Sequence, residues 1–154
     1  MIWYFAYGSN MNAARLFGDR LGPEGIERGE RIAGRLDGWR LVFNKRARAP
    51  EGCGVGNIVA APGEAVHGTL NLLPRQALDV LDRFEGVVGG HYRQETVQVA
   101  RGDGGPTVEA VTYVALLTGE ALRPTREYLA HLLAGSELLP ADYCRRLRET
   151  PTID

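Results

Sequence analysis

Ile2-Trp3-Tyr4-Phe5-Ala6-Tyr7 is an unbroken apolar run that stops on Gly8-Ser9-Asn10. Six aromatic and aliphatic residues without polar alternation describe a strand covered on both faces. The run is too short to span a membrane and has no basic region before it, so it reads as a buried central strand, Ile2 to Tyr7, rather than a leader. The strand gives way to Gly, Ser and Asn, and a short helix is expected over Asn10 to Phe17 with Ser9 or Asn10 as its N-cap. Backbone N–H groups point outward at such a helix start, and the helix dipole adds to them. The turn Tyr7-Gly8-Ser9-Asn10 is therefore a candidate site for a carboxylate, or for an oxyanion formed during acyl chemistry. A plain capped helix start is the competing reading.

Downstream, Glu27 to Leu36 and Trp39 to Asn44 are expected as strands turned at Asp37-Gly38, and Arg46 to Gly54 as a loop. Gly56 to Ala60 and Ala65 to Leu73 follow as strands joined by Ala61-Pro62-Gly63-Glu64. Pro74 to Glu85 reads as a helix with Pro74 in its first turn. After a loop at Gly86 to Gly90, Gln94 to Ala100 and Val108 to Leu116 form a hairpin. Thr125 to Ala134 and Ala141 to Glu149 are closing helices. Strands dominate, with helices between and after them, which is an α+β pattern. The 20 glycines cluster between strands, as in a compact sheet or barrel with tight turns. No repeat or linker divides the 154 residues, so a single domain over 1–154 is expected.

Apolar residues make up 44% and charged residues 24%, the balance of a globular protein. A net charge of -1 gives no basic excess for nucleic acid. Cys53 and Cys144 are isolated from each other in sequence, which argues against a disulfide framework and for a cytoplasmic setting. No membrane partner is expected.

Glu85 is the second local feature. It lies four residues after Leu81 and seven after Leu78, on the inward stripe expected for Leu78, Leu81 and Phe84. It also sits in the last helical turn, before Gly86, a candidate C-terminal glycine. Burial and the negative end of the helix dipole both disfavour its charged form, so both raise its pKa toward the range of a general acid–base. The competing reading is a frayed end where Glu85 reaches water or pairs with Arg83 or Arg93. His67, His91 and His131 lack metal-ligand spacing, although His91 could border a site. Gly52-Cys53-Gly54-Val55-Gly56 does not lead from a strand into a helix, as a phosphate loop would. Ser9 lies outside any G-x-S-x-G elbow, and nothing supplies a base to Cys53. Tyr92, Tyr113 and Tyr128 either fill the edge of the core or donate into a pocket.

Tyr4-Phe5-Ala6-Tyr7-Gly8-Ser9-Asn10-Met11, Leu81-Asp82-Arg83-Phe84-Glu85-Gly86-Val87 and Gly90-His91-Tyr92 together resemble the γ-glutamylcyclotransferase family, within the AIG2-like superfamily. Pro124-Thr125-Arg126-Glu127-Tyr128-Leu129, Gly135, Leu139-Pro140 and Tyr143 match its tail. The resemblance covers almost the whole chain. The turn alone is shared across the superfamily, and its combination with the distant Leu-Asp-x-x-Glu-Gly is considerably more specific. It implies a small mixed β-barrel flanked by helices, and release of 5-oxoproline from γ-glutamyl amino acids or amines without metal or cofactor. It implies Glu85 as the catalytic acid–base. Tyr7, Gly8, Ser9, Asn10 and Met11, with Tyr92, Tyr113 and Tyr128, would bind the γ-glutamyl substrate; Tyr92 is the firmest of the three tyrosines, following the Glu-Gly motif at a short interval. Met11 stands where many relatives carry Leu. The stretch with Lys45, Arg46 and Arg48 matches no motif and is expected to border the leaving amine. Other readings are a γ-glutamylamine cyclotransferase, an enzyme that trims a γ-glutamyl protecting group, and a non-catalytic sensor of a small anion. A buried acid argues against the sensor. The oligomeric state stays open, a homodimer included.

Overall fold

The computed structural model describes residues 1–154. Five strands close into a mixed barrel: β1 (Ile2–Ala6), β2 (Arg31–Arg46), β3 (Gly54–Leu73), β4 (Tyr92–Arg101) and β5 (Val108–Ala115), in the spatial order β1-β3-β2-β4-β5. β1 pairs antiparallel with β3 and parallel with β5, so neither of its edges is free. Closure on β1 explains the apolar run at the start of the chain, because a strand paired on both edges and packed on both faces has little use for polar side chains. Phe5 and Tyr7 join Leu36, Ile58, Val66, Leu70, Val97 and Val99 inside the barrel. Tyr4 and Ala6, one residue out of phase, pack beneath the helices with Leu16, Leu21, Leu81, Leu132 and Leu147.

Helices α1 (Ala77–Phe84), α2 (Arg126–Leu133) and α3 (Ala141–Arg148) lie near their expected places, with Thr125 capping α2 by accepting from the Tyr128 N–H at 3.1 Å. None is long and apolar enough to cross a membrane.

Three expectations are corrected. Asp37-Gly38 does not turn two strands. It is an irregularity inside the continuous β2, where the pairing shifts between Asp37 and Trp39 and Gly38 adopts φ +86°. The Ala61–Glu64 segment likewise lies within one long β3. The helix expected from Asn10 is instead a 3₁₀ turn, Ser9–Met11, followed by a π-helical segment, Ala14–Leu21, closed by the Gly22 N–H on the Phe17 carbonyl. Neither Ser9 nor Asn10 caps a helix through its side chain; Asn12 does so instead, its Oδ1 accepting from the Ala14 N–H at 3.1 Å.

Candidate active site

Where β1 ends, the Ser9–Met11 turn, the π-helical segment, the end of α1 and the loop after β2 surround a cavity of about 620 Å³. Glu85 is on its wall, delivered by the C-terminus of α1. The Gly86 N–H donates to the Arg83 carbonyl at 3.2 Å and the Val87 N–H to the Asp82 carbonyl at 3.0 Å, the paired bonds of a Schellman motif. Gly86 adopts φ +63°, which an L side chain rarely tolerates, so the glycine that ends the helix also fixes the residue before it. The expected inward stripe holds at Leu78 and Leu81 but fails at Phe84, which is 50% exposed. Its ring lies under the Arg20 guanidinium, 5.0 Å from the centroid, and helps hold that cation at the cavity.

The Glu85 side chain is only 17% exposed and Arg20 Nη1 stands 3.8 Å from Oε1. Burial pushes the Glu85 carboxyl above the usual carboxylate range, and the charges of Arg20, Arg15 and Lys45 pull it partly back. Arg83 and Arg93, the partners considered from sequence, are engaged elsewhere, with Glu24 and Glu95.

Arg15 and Arg20 both line the cavity although they are five residues apart. On an α-helix that spacing would separate them. In a π-helix, with its i→i+5 bonds, residues five apart stack on one side. Lys45 and Arg48 complete the cationic lining; Lys45 is 7% exposed, donates to the Arg46 carbonyl at 2.7 Å and lies 5.7 Å from the centre of the Tyr92 ring. Burial lowers the Lys45 pKa, and Glu85 opposes the shift. His91 also reaches the wall.

The tyrosines divide by where their protons go. Tyr7 donates to the Tyr113 carbonyl at 2.6 Å, Tyr92 to the Gly56 carbonyl at 2.8 Å and Tyr113 to Asp82 Oδ1 at 2.7 Å. Those three hydroxyl protons are spent within the protein. Tyr128 accepts from the Gly56 N–H at 2.9 Å, and Tyr4 accepts from Asn10 Nδ2 at 2.9 Å. Both of their protons remain for a ligand. Burial raises the Tyr128 pKa to about 12, so it stays a donor near neutral pH. Gly8 makes room for this hydroxyl, since a Cβ there would lie 2.9 Å from it; at Gly56 the distance would be 2.8 Å. The Gly8 and Asn10 N–H groups have no backbone acceptor, while the Ser9 N–H is directed at the Tyr128 hydroxyl.

Of the residues singled out from sequence, Tyr7, Gly8, Ser9, Asn10, Glu85, Tyr92, Tyr113 and Tyr128 all line the one cavity. Met11 does not. It is fully buried in the core beneath the helices, and its carbonyl accepts from Arg31. Successive residues of the 3₁₀ turn point about 120° apart, so membership in the motif does not mean contact with the cavity. Tyr4, Arg15 and Arg20 were missed, and no α-helical periodicity could have flagged the two arginines.

The fold and site define a mixed-barrel protein with a buried acid, a cationic lining and open backbone amides, suited to acid–base chemistry on a small anionic ligand. The chain belongs to the AIG2-like family, whose model matches residues 65–147, more than half its length. No curated protein gives a significant match. Among solved structures, a γ-glutamyl cyclotransferase is 25% identical with a TM-score of 0.84, over 99% of this chain and 89% of that one. The uncharacterized protein loc79017 from Homo sapiens is 26% identical with the same TM-score and coverage. A yeast γ-glutamyl cyclotransferase specific to glutathione shares the fold at 14% identity, with a TM-score of 0.63 over 96% and 94% of the two chains.

Proposed function

We propose that this chain is a γ-glutamylcyclotransferase, releasing 5-oxoproline and a free amine from γ-glutamyl compounds. The observation that carries the reading is Glu85, a largely buried carboxyl of raised pKa on the same cavity as the open amides of Gly8 and Asn10. A carboxyl tuned upward suits a general acid–base near neutral pH. The 25%-identical γ-glutamyl cyclotransferase supports it.

In this reading the Gly8 and Asn10 amides hold the α-carboxylate of the glutamyl unit. The Glu85 carboxylate takes a proton from the α-ammonium. The freed amine attacks the γ-carbonyl carbon, a C–N bond closes the five-membered ring, and the carbonyl electron pair moves to oxygen. Tyr128, with its proton uncommitted, donates to that oxyanion. Glu85 returns its proton to the leaving nitrogen, and the oxyanion pair re-forms the carbonyl as the old C–N bond breaks. The ring nitrogen then gives its second proton to the Glu85 carboxylate, which passes it to the released amine as that leaves as an ammonium. The attack is intramolecular, so most of the acceleration comes from holding the substrate folded. No covalent intermediate arises. The protein works in the cytoplasm, where its two buried thiols stay reduced.

The test is 5-oxoproline release from γ-glutamyl-alanine, with γ-glutamyl-lysine and glutathione in parallel, by wild type and Glu85→Gln. The variant is expected to keep its circular dichroism and lose on the order of 10²-fold or more in kcat. Near-full turnover by Glu85→Gln would sink the assignment. Binding of 5-oxoproline with no release from any substrate would favour a sensor.

A further inference from the structure

Four cations line the cavity, Arg15, Arg20, Lys45 and Arg48, against one ionisable carboxyl, Glu85. With Glu85 charged, the lining carries four positive charges and one negative, a net of +3. Of the four cations, only Arg20 has a carboxylate within ion-pair distance. Lys45 is more than nine-tenths buried yet spends a single N–H, on the Arg46 carbonyl. Arg15 keeps a buried Nε without any partner. Arg48 stands exposed on the loop after β2. A buried ammonium with no carboxylate within ion-pair distance is costly, and a ligand carboxylate would relieve that cost.

The glutamyl unit cannot supply that carboxylate. Its own α-carboxylate and α-ammonium cancel, and they are met by the Gly8 and Asn10 amides and by Glu85. Arg15 is enough for the α-carboxylate of a leaving amino acid. Lys45 and Arg48 are still unanswered.

Resting on the cyclotransferase reading, the geometry points to a second anion subsite, formed by Lys45 and Arg48, that takes an additional carboxylate on the leaving group. The preferred substrates are then γ-glutamyl conjugates of dicarboxylic amino acids. Lys45 belongs to β2 and is held by the barrel, while Arg48 is three residues on, in the loop. One subsite cation is thus fixed and the other can adjust to the length of the acidic side chain.

The experiment compares γ-glutamyl-glutamate with γ-glutamyl-glutamine, which have nearly the same shape and differ in one charge. Wild type is expected to favour the glutamate conjugate in kcat/KM by roughly 10- to 100-fold, the range of a charge-assisted hydrogen bond. Lys45→Met should collapse that ratio. Arg48→Gln, at an exposed position that cannot threaten the fold, should lower it as well. Equal kcat/KM for the two dipeptides in wild type would overturn the subsite and leave the cyclotransferase reading standing. If a folded protein turns over neither, the cyclotransferase reading fails, and calorimetric binding of the same pair decides the subsite. Tighter binding of the glutamate conjugate supports it, and equal or absent binding overturns it.

Discussion

Arg20 Nη1 lies 3.8 Å from Glu85 Oε1, too far for a hydrogen bond and close enough for the two charges to act on each other. Burial raises the Glu85 pKa and Arg20 is the largest influence opposing it. In the proposed cyclotransferase reading the base form of Glu85 starts the reaction, so the acid limb of the kcat/KM–pH profile should follow this balance. Arg20→Gln removes the opposing charge, so the Glu85 pKa rises further and the acid limb moves to higher pH. Arg20→Lys should move it less. A limb that stays in place in Arg20→Gln would mean that the pair does not set the acidity of the site.

Gly8 and Gly56 leave the Tyr128 hydroxyl a slot that a Cβ on either would invade, at 2.9 Å and 2.8 Å. Gly8→Ala should therefore displace Tyr128, costing about 1–3 kcal/mol in unfolding free energy and lowering kcat. In a Tyr128→Phe background the hydroxyl is gone and the same alanine should cost less, a coupling of about 0.5–3 kcal/mol. Urea unfolding of the four proteins measures it, and simple additivity would refute the clash.

Met11 is 0% exposed in the core with Leu16, Leu21 and Leu132. Met11→Leu should cost less than about 1.5 kcal/mol, and Met11→Ala about 2–5 kcal/mol, with KM for γ-glutamyl substrates unchanged in both. A raised KM in Met11→Leu at an unaltered melting temperature would put the side chain in contact with substrate after all.

The parts of the site readable from sequence are those written in local signals. An apolar run that stops at Gly8 marks the end of β1, and an acid before Gly86 marks the end of α1. The rest depends on geometry that local pattern does not encode. Gly38 looks like a turn because a bulge and a turn ask for the same backbone freedom. Arg15 and Arg20 meet only because the helix between them is wound with i→i+5 bonds, a choice that no α-helical spacing reveals. Tyr92 and Tyr128 look alike in sequence, yet their roles part at Gly56, where one hydroxyl donates to the carbonyl and the other accepts from the N–H. The identity of a hydroxyl's partner is set by strands that meet far apart in the chain.

The pairing of β1 on both edges carries a consequence for how such a protein could change. Shifting that strand by one residue would exchange its two faces, sending Phe5 and Tyr7 outward and Tyr4 into the barrel, and would carry the Gly8–Asn10 amides away from Glu85. The half of the cavity that holds Glu85 and these amides is therefore locked to the frame. The Ala47–Cys53 loop, which presents Arg48, is closed on itself by the Ala47 N–H on the Cys53 carbonyl and the Cys53 N–H on the Pro50 carbonyl, and is tied to the rest of the chain at its far end, where the Arg123 N–H donates to the Gly52 carbonyl; around Arg48 it pairs with no strand. On the proposed reading, new leaving groups can be tried there, by insertion or by a change of charge, while the Glu85 side of the cavity stays as it is.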